Sequence, residues 1–277
     1  PEMFLCGYPP RDLLLKTRFV SDLNETLDRF AAQTGPTPAL IGFVERSAKE
    51  TGRPFHNAAA WCAEGEVREV AHKRLLPTYD VFDEARYFEP GEECLIVEHK
   101  GKKLAVTICE DVWNVDGDLY DHDPLNEVTA AAPDLLLNLS ASPWHRGKQA
   151  DRRELLAKVA AKCGCPLVYL NVTGGNDELV FDGGSLAMNA EGELLARLPV
   201  PASAGLGENV STTLTICIGT GDDEVCRSMT LTFNANAVRL SPPNIRSVPA
   251  NGLQWNADIA LPSGASELEW DLATSGM

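Results

Sequence analysis

Apolar positions recur every three or four residues from Asp12 to about Gln33. Leu13, Leu14 and Leu15 are followed by Phe19, Val20, Leu23, Leu27, Phe30 and Ala31, the spacing of one helical face. Ser21 with Asp22 offers an N-cap for the later part of this helix. Residues 39–44 are a continuous apolar run and predict a buried strand. Residues 57–63 and 67–71, on either side of Glu64-Gly65-Glu66, predict a hairpin around a glycine turn. Residues 94–98 and 104–109, around Lys100-Gly101-Lys102, predict a second.

Beyond these, residues 124–132 suggest a short helix and residues 135–139 a strand. Residues 149–162 place Leu155, Leu156, Val159 and Ala160 on one helical face, and residues 166–171 form another short apolar strand. Residues 179–188 and 194–198 close the series, with Glu191-Gly192-Glu193 as a turn. Strands alternating with helices predict an α/β domain, and the hairpins add antiparallel pairs. A layered domain with mixed sheets is therefore expected, rather than a doubly wound one. Near Pro199 the character changes: residues 201–277 are rich in Ser, Thr, Asn, Gly and Pro and show no helical period. Only residues 213–219 and 228–233 alternate like exposed strands. The chain divides on this basis into a domain over 1–200 and an unassigned strand- or coil-rich tail over 201–277.

Charge narrows the partners. A formal net charge of −16 repels nucleic-acid phosphates and anionic lipid, so neither is expected. No apolar run reaches the roughly 18 residues of a membrane span. The eight cysteines include no CxxC pair and the five histidines make no zinc-like cluster with them. No metal site is expected, and a reducing cytoplasm with mostly inert thiols is. The opening Pro1-Glu2-Met3-Phe4 is neither an initiator methionine nor a signal peptide, so the chain reads as cut at its N-terminus.

The segment from Lys103 to Trp113 carries the clearest chemistry. A β-branched strand runs into Cys109, then Glu110, Asp111, Val112 and Trp113. Most cysteines at such a place are small core residues, but two acids directly after this one do not continue a core strand. In a layered α/β fold, the C-terminal end of a strand opens into a cleft. The acidic neighbours raise the thiol's pKa, so a cation and a base must come from elsewhere. Lys73, at the end of the first hairpin, is one candidate and Glu2 another; each alone reads as an ordinary surface charge.

Together these residues resemble a family. Glu2 followed by Gly7-Tyr8-Pro9-Pro10-Arg11-Asp12, His72-Lys73-Arg74-Leu75-Leu76-Pro77, and Ile108-Cys109-Glu110-Asp111-Val112-Trp113 are similar to three motifs of the nitrilase (carbon–nitrogen hydrolase) superfamily. The stretches from Tyr79 to Phe88, from Asn138 to Lys148 and from Gly174 to Ser185 resemble, more narrowly, the glutaminase domains of glutamine-dependent NAD synthetases. The likeness covers residues 1 to about 200. It implies an α-β-β-α sandwich with mixed sheets. It also implies that Cys109 attacks the carboxamide of glutamine, with Glu2 as general base and Lys73, aided by a backbone N–H near Cys109, stabilising the oxyanion.

By the same matching, Tyr79, Glu84, Trp113, Ser142 and Lys148 fall in the substrate pocket. Glu84 either pairs with the substrate ammonium or orients Lys73. Trp113 has a packing alternative, and Lys148 one as a solvated charge. The glutaminase step needs no cofactor. ATP and magnesium belong to a synthetase domain or subunit, the implied partner besides glutamine; a homo-oligomer is also implied. The Ser-Gly-Gly-x-Asp-Ser phosphate loop of that domain does not occur, and Thr173-Gly174-Gly175-Asn176-Asp177-Glu178 departs from it. The family's opening strand and helix should precede Pro1, which predicts that Glu2 is difficult to hold in place. A stand-alone aliphatic amidase or nitrilase, and an inactive fragment, are the competing readings. Cys217 and Cys226 would face each other across a tail hairpin, as ordinary thiols.

Overall fold

A computed structural model describes residues 1–49 and 51–197, together with the backbone of strands at 209–218, 225–234, 239–240 and 259–260. The predicted first helix is two elements. Arg11–Leu15 forms a 3-10 turn that stops at Lys16, whose backbone is extended. The helix α1 then spans Phe19–Ala31 and begins before the predicted cap: Arg18 is its N-cap residue and makes no side-chain cap. Ser21 instead turns its hydroxyl back onto the Arg18 carbonyl, 2.8 Å away. Burial of Val20, Leu23, Leu27 and Ala31 decides where this helix starts, over the local capping signal.

That apolar stripe covers a first sheet of β1 (Ala39–Arg46), β2 (Phe55–Ala63) and β3 (Glu66–His72), all antiparallel in sequence order. Alternation along β2 sends Ala58, Ala60 and Cys62 into the cluster with α1 and Phe43. Ala59 points the other way and, with Ala71, meets Val106, Ile108 and Leu139 of a second sheet. Alanine on both faces lets β2 lie close to its neighbours on each side.

The second layer follows from β4 (Leu95–His99), β5 (Lys102–Ile108), α2 (Leu125–Ala131), β6 (Leu135–Ser140), α3 (Lys148–Cys163), β7 (Leu167–Asn171), β8 (Thr173–Asn176), β9 (Leu179–Asp182), β10 (Leu186–Met188) and β11 (Leu194–Arg197). Six of these strands form one sheet in the order β11-β10-β7-β6-β5-β4, with β5, β6 and β7 parallel and the flanking pairs antiparallel. Val128, Leu156, Val159 and Ala160 of α2 and α3 pack on its outer face against Leu136 and Leu167. The result is the mixed-sheet α-β-β-α sandwich expected.

The single strand predicted over 179–188 is divided in two. Gly183 and Gly184 adopt positive φ angles of 59° and 70° and turn the chain. The first half pairs back on β8, which no apolar pattern had marked. In the tail, β12 (Asn209–Ile218) covers residues 213–218 of the first predicted alternating run, β13 (Val225–Asn234) contains the second, and the two pair antiparallel. Cys217 is the register partner of Cys226 along their backbones. The other expectations for 201–277 lie outside the described residues. No helix among the described residues is long and apolar enough to cross a membrane.

Three parallel strands thus end side by side, and the segments that follow them, starting at Cys109, Ala141 and Val172, leave the same edge of the sheet. Candidate chemistry gathers there.

Candidate active site

Cys109 is the first residue of a 3-10 turn over Cys109–Val112 and holds a φ of +44°. For a residue with a Cβ this conformation costs on the order of 1–3 kcal/mol and persists only where its surroundings enforce it. Asp111 enforces it. One carboxylate oxygen accepts from the Ile108 N–H at 2.9 Å, and the other from the N–H groups of Arg74 and Leu75 at 2.8 and 2.9 Å. The cysteine turn is thereby tied to the segment directly after Lys73. Burial pushes the Asp111 carboxyl up to about 6, against the pull of those three donors. Sequence reasoning took Asp111 only as a charge beside the cysteine. Its position just past a strand end, where short acidic side chains bind backbone N–H groups, was the available signal.

Lys73 follows β3 and is 1% exposed. Its ammonium donates to Glu2 Oε1 at 2.7 Å and to Glu84 Oε1 at 2.6 Å. Glu2 also accepts from Asn57 Nδ2 at 2.7 Å and, through its other oxygen, from the Ala141 N–H at 2.9 Å. Glu84 accepts from the Tyr8 hydroxyl at 2.8 Å and from Asn57 at 3.3 Å. Of the two roles open to Glu84, these bonds match the one that orients Lys73. Tyr8 and Asn57 entered the site with no role assigned from sequence. Tyr8 precedes two prolines and Asn57 follows His56 in an otherwise apolar strand, and pattern alone distinguishes neither from a satisfied core residue.

The expectation that Glu2 would be difficult to hold is corrected: it is buried and held by three donors. Close backbone approach makes this possible. The segment from Pro1 to Met3 lies against β1 at Gly42, where a Cβ would stand 2.1 Å from the Pro1 carbonyl oxygen and 2.6 Å from the Met3 nitrogen. Both are backbone atoms, so relief requires the whole segment to shift. Gly42→Ala is therefore predicted to displace Glu2 and lower turnover by about 100-fold, the scale of a misplacement near 1 Å. A steady-state assay checks this, and unchanged kcat in the variant would contradict it.

Charges here are unevenly balanced, with one ammonium between two carboxylates. Burial alone lowers the Lys73 pKa, but Glu2, Glu84 and Cys109 outweigh it and hold the ammonium well above its ordinary value. Burial and the nearby Glu2 raise the Glu84 carboxyl, against Lys73 and Tyr8. Burial also raises the Cys109 thiol well above its ordinary value, and Glu2, Glu110 and Glu84 add to this against Lys73. At neutral pH the Cys109 side chain is therefore a thiol, and charging it requires a base to take its proton.

Of the remaining predicted residues Ser142 is buried, Trp113 and Lys148 are half-buried and Tyr79 is exposed. Tyr79, 45% exposed, donates its hydroxyl to Glu110 Oε1 at 2.7 Å, and Tyr120 donates to the same oxygen at 2.9 Å. Glu110 itself is buried. Lys148 places its ammonium 3.8 Å from the centroid of the Trp113 ring, a cation–π pair. Burial lowers the Lys148 pKa while Cys109 and Glu110 oppose that shift, so this lysine is not a freely solvated charge. Ser142 gives its N–H to Asn171 Oδ1 at 2.8 Å. Two groups emerge: Glu2, Lys73 and Glu84, joined by hydrogen bonds and acting on the thiol through their charges, and Tyr79, Glu110, Lys148 and Trp113. Glu110 and Tyr120 were not among the residues singled out, because their pairing joins segments brought together only by the fold.

The carbon–nitrogen hydrolase family profile matches residues 1–206. The glutamine-dependent NAD(+) synthetase of Synechocystis sp. is 41% identical over 208 residues, covering 72% of this chain and 37% of that protein. Its Thermotoga maritima counterpart is 42% identical over 199 residues, covering 70% and 32%. The chain therefore spans about a third of the length of these curated relatives. Among solved structures, the Acinetobacter baumannii glutamine-dependent NAD+ synthetase in complex with ADP superposes with a TM-score of 0.65 at 34% identity, over 72% of this chain and 36% of that one. An amidase from Nesterenkonia sp. AN1, captured with the acetamide moiety of fluoroacetamide on its active-site cysteine, gives 0.59 at 25% identity over 72% of each chain. With a match across nearly three quarters of its length and a buried Glu–Lys–Glu cluster behind a strained strand-end cysteine, the chain belongs to the carbon–nitrogen hydrolase family.

Proposed function

We propose that the chain hydrolyses the side-chain amide of glutamine and supplies ammonia for glutamine-dependent NAD synthesis. The observation that carries this reading is the Lys73 ammonium shared between Glu2 and Glu84, whose charges act on the Cys109 thiol. The relatives' names supply the substrate. In the first half-reaction Glu2 takes the thiol proton as Cys109 Sγ bonds to the carboxamide carbon. Two of the three Lys73 donors are engaged by carboxylates, and the third is free for the developing oxyanion. The carbon–nitrogen bond then breaks, Glu2 returns its proton to the leaving nitrogen, and ammonia departs from a thioester. Water, deprotonated by Glu2, attacks the thioester, glutamate leaves, and the proton passes back to sulfur.

Recognition of the amino-acid head falls to the second group. Both tyrosine hydroxyls use Oε1 of Glu110, leaving Oε2 to accept from a substrate ammonium. Lys148 on Trp113 suits a carboxylate, and Ser142 offers a hydroxyl at the head of the pocket. Glu84, filled by Lys73, Tyr8 and Asn57, orients Lys73. No cofactor enters this step. ATP and magnesium belong to the synthetase domain or subunit that would consume the ammonia. The assembly carried by this reading is a homo-oligomer in a reducing cytoplasm, where the six described free thiols persist.

The fold's similarity to the Nesterenkonia amidase keeps a stand-alone aliphatic amidase as the second reading. Ammonia release from glutamine and from propionamide separates the two. The proposed function predicts a kcat/KM ratio of at least about 10² in favour of glutamine, as expected for a site built to bind polar groups that the simpler amide lacks. Equal turnover of both amides would instead establish the aliphatic amidase.

A further inference from the structure

Arg152, on α3, is 2% exposed. A guanidinium buried this deeply must be paired, and a pair of this kind is weak evidence for stability, since apolar replacement is often neutral or better. Its contacts point to another role. Nη2 meets Asp182 Oδ1 at 3.0 Å and Nη1 donates to the Gly183 carbonyl at 3.2 Å. Toward the site, Nη2 lies 3.4 Å from Ser142 Oγ and 3.5 Å from the Ser142 carbonyl oxygen. Asn171 completes the ring: it accepts from the Ser142 N–H at 2.8 Å and donates to the Gly183 carbonyl at 2.9 Å.

Ser142 is thus gripped through its N–H, its carbonyl and its hydroxyl. The preceding residue, Ala141, gives its N–H to Glu2. One short stretch of backbone after β6 therefore carries a pocket serine and a hydrogen bond to the base. The Tyr169 ring lies 5.7 Å from the guanidinium carbon, so an aromatic face lines the buried charge on a further side.

We propose that Arg152 and Asp182 are positioning residues for selectivity. The pair sets Ser142 where the charged head of an amino-acid amide is recognised, without touching the substrate itself. This inference rests on the glutaminase reading above. The experiment compares kcat/KM for glutamine and propionamide in the full chain, in Arg152→Lys and in Asp182→Asn, with thermal melts of all three. Arg152→Lys keeps the charge but loses the fork that spans Ser142 and Asp182; Asp182→Asn keeps the shape and removes the counter-charge.

The expected result is a drop of at least about tenfold in the glutamine-to-propionamide ratio in either variant, since an amide without a charged head gains nothing from a well-placed Ser142. A merely structural role lowers both rates in the same proportion, and an unchanged ratio in both variants overturns the proposal while leaving the glutaminase reading intact. Loss of fold in both variants assigns the pair to stability alone and also overturns it. A wild-type chain with no preference for glutamine, or no turnover of either amide, overturns the proposal and the glutaminase reading together.

Discussion

Replacing Cys109 by alanine is expected to reduce ammonia release from glutamine by about 10⁴-fold or more, the scale seen when a covalent nucleophile is removed. Cys163→Ala is expected to leave it within about twofold, because nothing but packing is altered and the effect on stability should be near 1 kcal/mol. Both side chains are nearly buried: Cys109 is 5% exposed and Cys163 is 6%. Exposure therefore does not tell them apart; surroundings do. Cys163, the last residue of α3, packs in the cluster with Val159, Ala160 and Leu167, whereas Cys109 sits in a strained turn within the field of Glu2, Lys73 and Glu84. The same field sets a pH dependence. With the thiol pKa raised by burial and by carboxylates, the thiolate fraction is small at pH 7 and still growing at pH 9. Alkylation of Cys109 by iodoacetamide, followed by mass spectrometry, should accelerate across that whole interval. A rate already at its plateau at pH 7 would mean a preformed thiolate, and the role given to Glu2 would fall.

Lys73→Met is expected to be the most damaging change away from the nucleophile, in both stability and rate. It removes the ammonium that Glu2 and Glu84 share at 2.7 and 2.6 Å, leaving two buried carboxylates facing each other. Breaking a buried ion pair from one side costs about 3–5 kcal/mol. Loss of an oxyanion donor lowers kcat by about 10²–10³-fold. The stability loss should depend on pH, and its sign follows from the groups. In the wild type the Lys73 pKa is raised, so its contribution is fully present below its unfolded value and is lost only at strongly alkaline pH. In the variant the already raised Glu84 carboxyl loses its cation and rises further. Its ionisation then costs stability as pH climbs from the unfolded carboxylate value through the folded one. The deficit of Lys73→Met against wild type should accordingly be smaller at pH 5 than at pH 8. Denaturant titrations at the two pH values measure this; equal deficits would show that the two carboxylates do not share a buried field.

How far the site could be read in advance differs by residue. Cys109 and Lys73 stand at strand ends, and the strands were visible because their apolar runs are local. For Glu84 the sequence leaves two roles open, and the bond from the hydroxyl of Tyr8, 76 positions earlier, has no local signature. Asp111 was beside the cysteine all along, yet its partners are backbone N–H groups of Arg74 and Leu75, which carry no side-chain signature. The start of α1 and the break at Gly183 and Gly184 depart from the sequence pattern because capping and apolar runs are weak signals beside burial and backbone turns.

The sequence by itself determined the hairpins around Gly65 and Gly101, the helices near residues 124–132 and 149–162, the mixed α/β class, and the places of Cys109 and Lys73 at strand ends. Each of these is written in neighbouring residues, through periodicity, glycine turns and short motifs. Tertiary structure decided the rest. It buried Glu2 against the one position on β1 with no Cβ, shared one ammonium between carboxylates from separate segments, and gripped Ser142 through an arginine ten residues further on. The reason is physical: the protonation and reach of a buried group depend on desolvation and on partners distant in the chain, and neither exists until the two sheets have closed on each other.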